Sequence, residues 1–270
     1  MLQKNMQHLK GFLLKDNRYD KALPKNHMLE DIFLVSYPKS GNTWLRFLIA
    51  NALKFHFGID REVNFFTIQD IIPGMKDGNS SLSPSGPFGI LTIPRIIKSH
   101  ASYNPHYHRV ILLVRDPRDV ITSYYFYRKY YGLESLQTSL SSFIRDSESG
   151  VNAWKLHTES WFLRKKQGQI IKLFTYENFI EDTQKNLNDL MNLLGFKLDA
   201  LTLDKAVDFS SKEWMRKSEL KHTSTYLNQN RKYHFVGKAK AARGEPLLEE
   251  DKKFIEDQTR DIAKMIGYEY

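Results

Sequence analysis

One stretch restricts the fold more than any other: Asp31-Ile-Phe-Leu-Val-Ser-Tyr-Pro-Lys-Ser-Gly-Asn-Thr-Trp-Leu-Arg46. Ile32 to Val35 read as a buried strand, and Tyr37 to Thr43 as a compact polar loop. Trp44, Leu45, Leu48, Ile49, Ala52 and Leu53 then recur at helical spacing. A strand that feeds a glycine-containing loop and opens a helix directs unpaired N–H groups and the positive end of the helix dipole at one point, where an anion binds. Lys39 adds a point charge, and Ser40, Asn42 and Thr43 add side-chain donors. The pattern predicts a phosphate cradle, though not the common nucleotide one. That loop runs G-x-x-x-x-G-K-S/T, whereas here Lys39 comes before Gly41 and no glycine precedes it in the loop.

A second constellation lies downstream. Arg109 to Arg115 read as a strand, after which Asp116 caps a helix that has Pro117 at its first position. Ser123 lies two turns along that helix, so Arg115 and Ser123 can face one anion. Strand-like runs at 32–35, 93–98, 110–114 and 170–174 alternate with helical stretches. That alternation predicts an α/β fold with a mostly parallel central sheet flanked by helices on both faces. A length of 270 residues suits one such domain, and the absence of cysteine excludes disulfides and thiol catalysis.

At these residues the chain resembles the cytosolic-type sulfotransferases, whose co-substrate is 3′-phosphoadenosine 5′-phosphosulfate (PAPS). Lys39, Ser40, Gly41, Asn42, Thr43 and Trp44 resemble that family's P-loop-like phosphosulfate-binding loop, and Arg115 with Ser123 resembles its 3′-phosphate pair. Ile96-Ile97-Lys98-Ser99-His100 is similar to the strand-end Lys-x-His that supplies a catalytic histidine. Tyr176-Glu177-Asn178 is similar to a segment whose tyrosine approaches the adenine, and Phe209 to Met215, with Ser211 and Met215, to a further adenosine-contacting stretch. The resemblance implies one sulfotransferase domain over 1–270 and an O-sulfotransferase activity that needs no metal. It implies His100 as the base for the acceptor hydroxyl, Lys39 as the charge that neutralises the leaving 5′-phosphate, and Lys98 as an assistant at the transferring group. A histidine suits that task because its ordinary pKa of about 6.5 leaves it largely neutral near pH 7.

The likeness breaks near the C-terminus. In place of the family's Arg-Lys-Gly and Gly-x-Trp stands Phe235-Val-Gly-Lys-Ala-Lys-Ala-Ala-Arg-Gly-Glu245. Lys238, Lys240 and Arg243 are the candidate replacements, and 221–245 is the expected lid over the nucleotide. The family's dimerisation segment is not recognisable, which leaves monomer and homodimer both open. Residues 1–28 read as an extension with an amphipathic helix: Leu2, Met6, Leu9, Phe12 and Leu13 are mixed with lysines and lack the apolar core of a signal peptide. No apolar run approaches a membrane span. The expectation is a cytoplasmic enzyme.

The net charge of +9 fits two partners, a nucleic acid or a multiply anionic nucleotide. Basic residues run from Lys4 to Lys264, interleaved with acids and without a dense basic helix, so the nucleotide is the expected partner and nucleic acid is not. The acceptor stays open. Pro73 to Gly89 is rich in turn formers and reads as a long loop before the histidine strand. Its Leu82 and Phe88, with Phe65, Phe66 and Tyr103, suit a small alcohol or phenol, while its serines and asparagines suit a carbohydrate hydroxyl. Two further classes stand beside these: a Mg-ATP phosphotransferase, and a non-catalytic module that binds nucleotide or nucleic acid.

Overall fold

The apolar runs become the strands β1 (Ile32–Ser36), β2 (Ile96–Ser99), β3 (Arg109–Val114) and β4 (Ile170–Thr175). They pair in parallel in the order β2-β1-β3-β4. The computed structural model describes residues 23–75, 81–133, 135, 137–164, 169–226 and 247–270. The helices are α1 (Asn42–His56), α2 (Ile68–Ile71), α3 (Pro117–Tyr130), α4 (Leu140–Ile144) and α5 (Val151–Leu163). After β4 come α6 (Tyr176–Glu181), α7 (Thr183–Leu193), α8 (Ala200–Asp208), α9 (Lys212–Tyr226) and α10 (Glu249–Ile266).

Alternation along the strands sets the layers. Ile32 and Leu34 of β1, with Ile111 and Leu113 of β3, enter one apolar cluster together with α1, α2, α7 and α8. Phe33 and Val35, with Val110, Leu112 and Val114, enter the other, together with α3, α4, α5 and α10. Because both faces are covered, the central strands carry no polar alternation, which is why they read as continuous apolar runs. The expected α/β architecture, one domain around a parallel sheet, is present.

Some boundaries differ from the sequence reading. The run at 93–98 pairs only from Ile96, because Pro94 has no N–H to give to a ladder. The expected long loop of Pro73 to Gly89 is partly tied down. Lys98 donates its N–H to Pro73 O (2.8 Å) and accepts from Met75 N (3.1 Å), which covers the outer edge of β2. Asn26 holds Leu82 from both sides, donating to its carbonyl (2.7 Å) and accepting from its N–H (2.9 Å). Residues 23–28 form turns rather than helix, and 1–22 lie outside the described residues. Of the expected lid, 221–226 continue α9, while 227–246, with Lys238, Lys240 and Arg243, lie outside the described residues.

A buried ion pair fixes the entry to β1 and β2. Arg95 reaches Asp31 through Nε (2.7 Å) and Nη2 (2.6 Å), and both side chains are essentially inaccessible. The same guanidinium donates to Asn26 O (2.7 Å), and Asp31 accepts from Met28 N (2.8 Å). Removing one partner strands a charge away from water. Arg95→Met is therefore expected to lose about 3–5 kcal/mol of stability in urea titrations. A loss below about 1 kcal/mol would mean that the pair does not anchor the sheet.

Candidate active site

Register brings the candidate residues together. Val35 pairs with Ser99, Ser36 with Leu113 and Val114 with Thr175, so all four strands end on one edge of the sheet. Each strand hands over there to a candidate: β2 to His100, β1 to the Tyr37–Gly41 loop, β3 to Arg115 and β4 to Tyr176. The chain leaves β1 toward β2 on one side and β3 on the other, which is the switch point where open parallel sheets bind ligands.

The loop is built for an anion. Lys39 (φ 70°) and Gly41 (φ 98°) take left-handed conformations, which turn successive N–H groups inward. No side chain caps α1, and its first turn has no acid, so the first amides keep their positive potential. Gly41 is also sterically required. A Cβ there would lie 2.5 Å from the Tyr176 ring. The ammonium of Lys39 sits 4.7 Å over the Tyr127 ring.

One expected side-chain donor is engaged elsewhere and a second is buried. The Ser40 hydroxyl is fully buried without a partner, and Ser40 lines an internal space with Tyr37, Trp154 and His157. Asn42 directs its amide nitrogen to Leu34 O and Ser36 Oγ, both at 3.1 Å. Packing behind the loop encloses both, so among the three, Thr43 alone remains half-exposed.

On the other side of the loop, Arg115 stacks 4.4 Å over the Tyr176 ring and pairs with Asp119 (3.1 Å). Its Nε is buried without a partner, and Ser123 is buried on the facing helix α3. Tyr176 also meets Trp44 edge-on at 5.5 Å. Trp44 Nε1 in turn donates to Ser210 O (3.0 Å), and Asn51 donates to Ser210 Oγ (3.0 Å), which docks the 209–215 segment onto α1. Within that segment Ser211 accepts from Trp214 N (3.2 Å) at the start of α9, and Met215 packs in the apolar core.

His100 is oriented by β1. Its Nδ1 lies 2.7 Å from Ser36 O, and a carbonyl can only accept, so Nδ1 carries the proton and Nε2 the lone pair. The ring is open to solvent on one side and crowded by protein on the other. That crowding, and then the Lys98 ammonium, hold its pKa well below the usual 6.5. Lys98 is pushed down to about 8, first by burial and then by the Arg46 guanidinium. His157 is pushed down to about 4 by burial. The spacing of the sequence does not point to Ser36 or Arg46, because a serine ending a strand and an arginine within a helix carry no signal of their own. Among the described residues no three His, Asp or Glu side chains cluster as metal ligands.

Comparison with known proteins gives the fold and the family. A sulfotransferase domain model matches residues 29–267. Sulfotransferase 1E1 of Bos taurus is 28% identical over 217 residues, 73% of this chain and 72% of that protein. The 3-beta-hydroxysteroid sulfotransferase of Cavia porcellus is 28% identical over 230 residues, 80% and 75% of the two chains. Among solved structures, retinol dehydratase in complex with androsterone and PAP superposes with a TM-score of 0.66 at 19% identity, over 95% of this chain and 87% of that one. A mouse sulfotransferase complexed with PAP gives 0.59 at 18%, over 93% and 90%. The structural likenesses establish the fold, and the match to the family model establishes the family: the chain is a member of the sulfotransferase domain family.

Proposed function

We propose that the chain transfers the sulfuryl group of PAPS to a hydroxyl of a small apolar alcohol or phenol, with His100 as the base. The observation that carries this is the common edge: His100, the uncapped start of α1, Arg115 and Tyr176 follow one another across four adjacent strand ends. The residues present fit the co-substrate. The backbone turn at Lys39 to Gly41 would hold its 5′-phosphosulfate, Arg115 and Ser123 its 3′-phosphate, and Tyr176 with Trp44 its adenine. Bound there, PAPS supplies the sulfuryl group and its 5′-phosphate leaves with the electron pair of the bridging O–S bond.

The chain's own residues do the rest. Nε2 of His100, fixed as acceptor by Ser36, takes the hydroxyl proton as the acceptor oxygen bonds to sulfur. Lys39 offsets charge as it builds on the leaving phosphate, and Lys98 offsets charge on the transferring group. The names of the relatives, one a hydroxysteroid enzyme, support an apolar acceptor. Assaying transfer from radiolabelled PAPS to a steroid alcohol, a phenol and a sugar tests this reading. Turnover confined to the sugar would overturn it.

Adenosine 3′,5′-bisphosphate is expected to raise the Tm by mass action, and 5′-AMP to bind ~10- to 100-fold more weakly, roughly 1.4–3 kcal/mol. Gly41→Ala should abolish both effects, because the new methyl displaces Tyr176 and strains a backbone at φ 98°. Equal affinity for AMP and the bisphosphate would remove Arg115 and Ser123 from the site.

His100→Ala should lower kcat by ~10²–10⁴-fold while bisphosphate affinity stays at the wild-type level. The pH profile follows from the shifts. The base fails only when His100 protonates, and its lowered pKa puts that loss below pH 6.5. Lys98 loses its charge as pH rises through about 8, so activity declines above that point. A folded His100→Ala protein with nearly full turnover would end the case for a histidine base.

A further inference from the structure

Arg46 has an unusual environment. It lies on α1, one turn beyond the anion loop, is 1% exposed, and among the described residues has no carboxylate partner. Its Nη2 donates to Ile68 O (2.9 Å), Gln69 Oε1 (3.1 Å) and Ile72 O, while its Nε has no partner. A guanidinium removed from water without a counter-ion is costly, and its own pKa is pushed down to about 10 by burial. The hydrogen bonds offset that cost in part, because they satisfy carbonyls at both ends of the short α2.

What Arg46 grips is the segment that leads to the Lys98 strand. The chain runs from α2 into Pro73–Met75, which pairs along β2 at Lys98. At Gly74 an added Cβ would lie 3.4 Å from the Lys98 side chain and 3.7 Å from Gln69 Oε1, so Arg46, Gln69 and the Lys98 stem are stacked in one place. We propose that Arg46 is a positioning residue for sulfuryl transfer: it holds the 68–75 wall against Lys98 and sets a fixed positive charge behind the Lys98–His100 strand end. The proposal rests on the reading of His100 as the base.

Among the described residues no carboxylate pairs with this charge. The titratable groups that act on His100, among the described residues, are Lys98 from β2, His157 from α5 and Arg46 from α1, and Arg46 also acts on Lys98. Ser36 of β1 contributes a hydrogen bond, and Pro73, Gly74 and Met75 carry no charge. The acid on α2, Asp70, is engaged at the surface by Arg61 (2.8 Å). A cation near a base disfavours protonation of that base, and a cation near a lysine lowers the lysine's pKa.

Arg46→Gln separates the two roles, because glutamine keeps donors for the carbonyls but carries no charge. Arg46→Lys keeps the charge with fewer donors. Two quantities are to be measured in each: the pH profile of kcat/KM, and the imidazole titration of His100 by NMR. Arg46→Gln should move both limbs of the profile, and the His100 midpoint, to higher pH by roughly half a unit or more. Arg46→Lys should leave the limbs in place and raise the acceptor KM. Unmoved limbs and an unmoved His100 midpoint in Arg46→Gln, with only the height of the profile reduced, would overturn the proposal. So would a wild-type His100 midpoint at or above 6.5, a measurement that holds even if the neutral variant fails to fold. A His100 midpoint that moves while the pH profile stays put would retain Arg46's influence and instead reject His100 as the base.

Discussion

The backbone at Gly41 turns through φ 98°, and in doing so leaves the start of a fifteen-residue helix without a cap. Most helices satisfy their first N–H groups with a serine, threonine or aspartate side chain. Here glycine occupies the cap position, and the nearest neighbour in space is an aromatic ring that leaves no room for a methyl group. The uncapped amides have to be satisfied by something from outside the fold. Tyr176 can approach so closely only because β4 is in register with β3 and ends beside it. The loop, the adjacent aromatic surface and the parallel sheet are therefore one constraint seen at three scales.

The same edge gathers cations. Lys39, Lys98, Arg46 and Arg115 belong to four different segments, and Arg115 pairs with the half-exposed Asp119 at 3.1 Å. A surface pair of this kind contributes about 0–1 kcal/mol, so an incoming phosphate can replace it at small cost. The net charge of +9 is thus not spread evenly in its effect. Its chemically active part lies where a multiply anionic ligand would arrive, which agrees with steering toward one cleft.

Much of this arrangement was legible in the sequence because it follows short-range rules. Continuous apolar runs gave strands covered on both faces, Asp116 with Pro117 gave the start of α3, and Glu249, Glu250 and Asp251 mark the first turn of α10. The illegible parts depend on packing between distant segments. Ser40 and Asn42 read as donors to an anion, yet both are buried: Ser40 lies against Trp154 and His157, more than a hundred residues on, and Asn42 donates back to Leu34 O. Arg46 reads as one more helical arginine. Only the fold shows that the α2 carbonyls close over it, and that among the described residues no acid pairs with it.

A second long-range device reaches the nucleotide side from the far end of α10. Tyr268 donates its hydroxyl to Glu177 Oε2 at 2.6 Å, and the other oxygen of that carboxylate accepts Asp116 N at 3.1 Å. Burial, and then the carboxylate, push the Tyr268 hydroxyl pKa up, so it stays a donor. Glu177 follows Tyr176, and Asp116 follows Arg115, so this single carboxylate ties together the two turns whose side chains stack at 4.4 Å. Arg118 adds a second tie, holding Asp116 on one side and Glu256 of α10 (2.8 Å) on the other. Hydrogen bonds to charged groups are worth about 1.5–3 kcal/mol each, several times an exposed ion pair. The stacking of Arg115 on Tyr176, where we place the nucleotide, is therefore held from beneath by α10 and the chain that follows it.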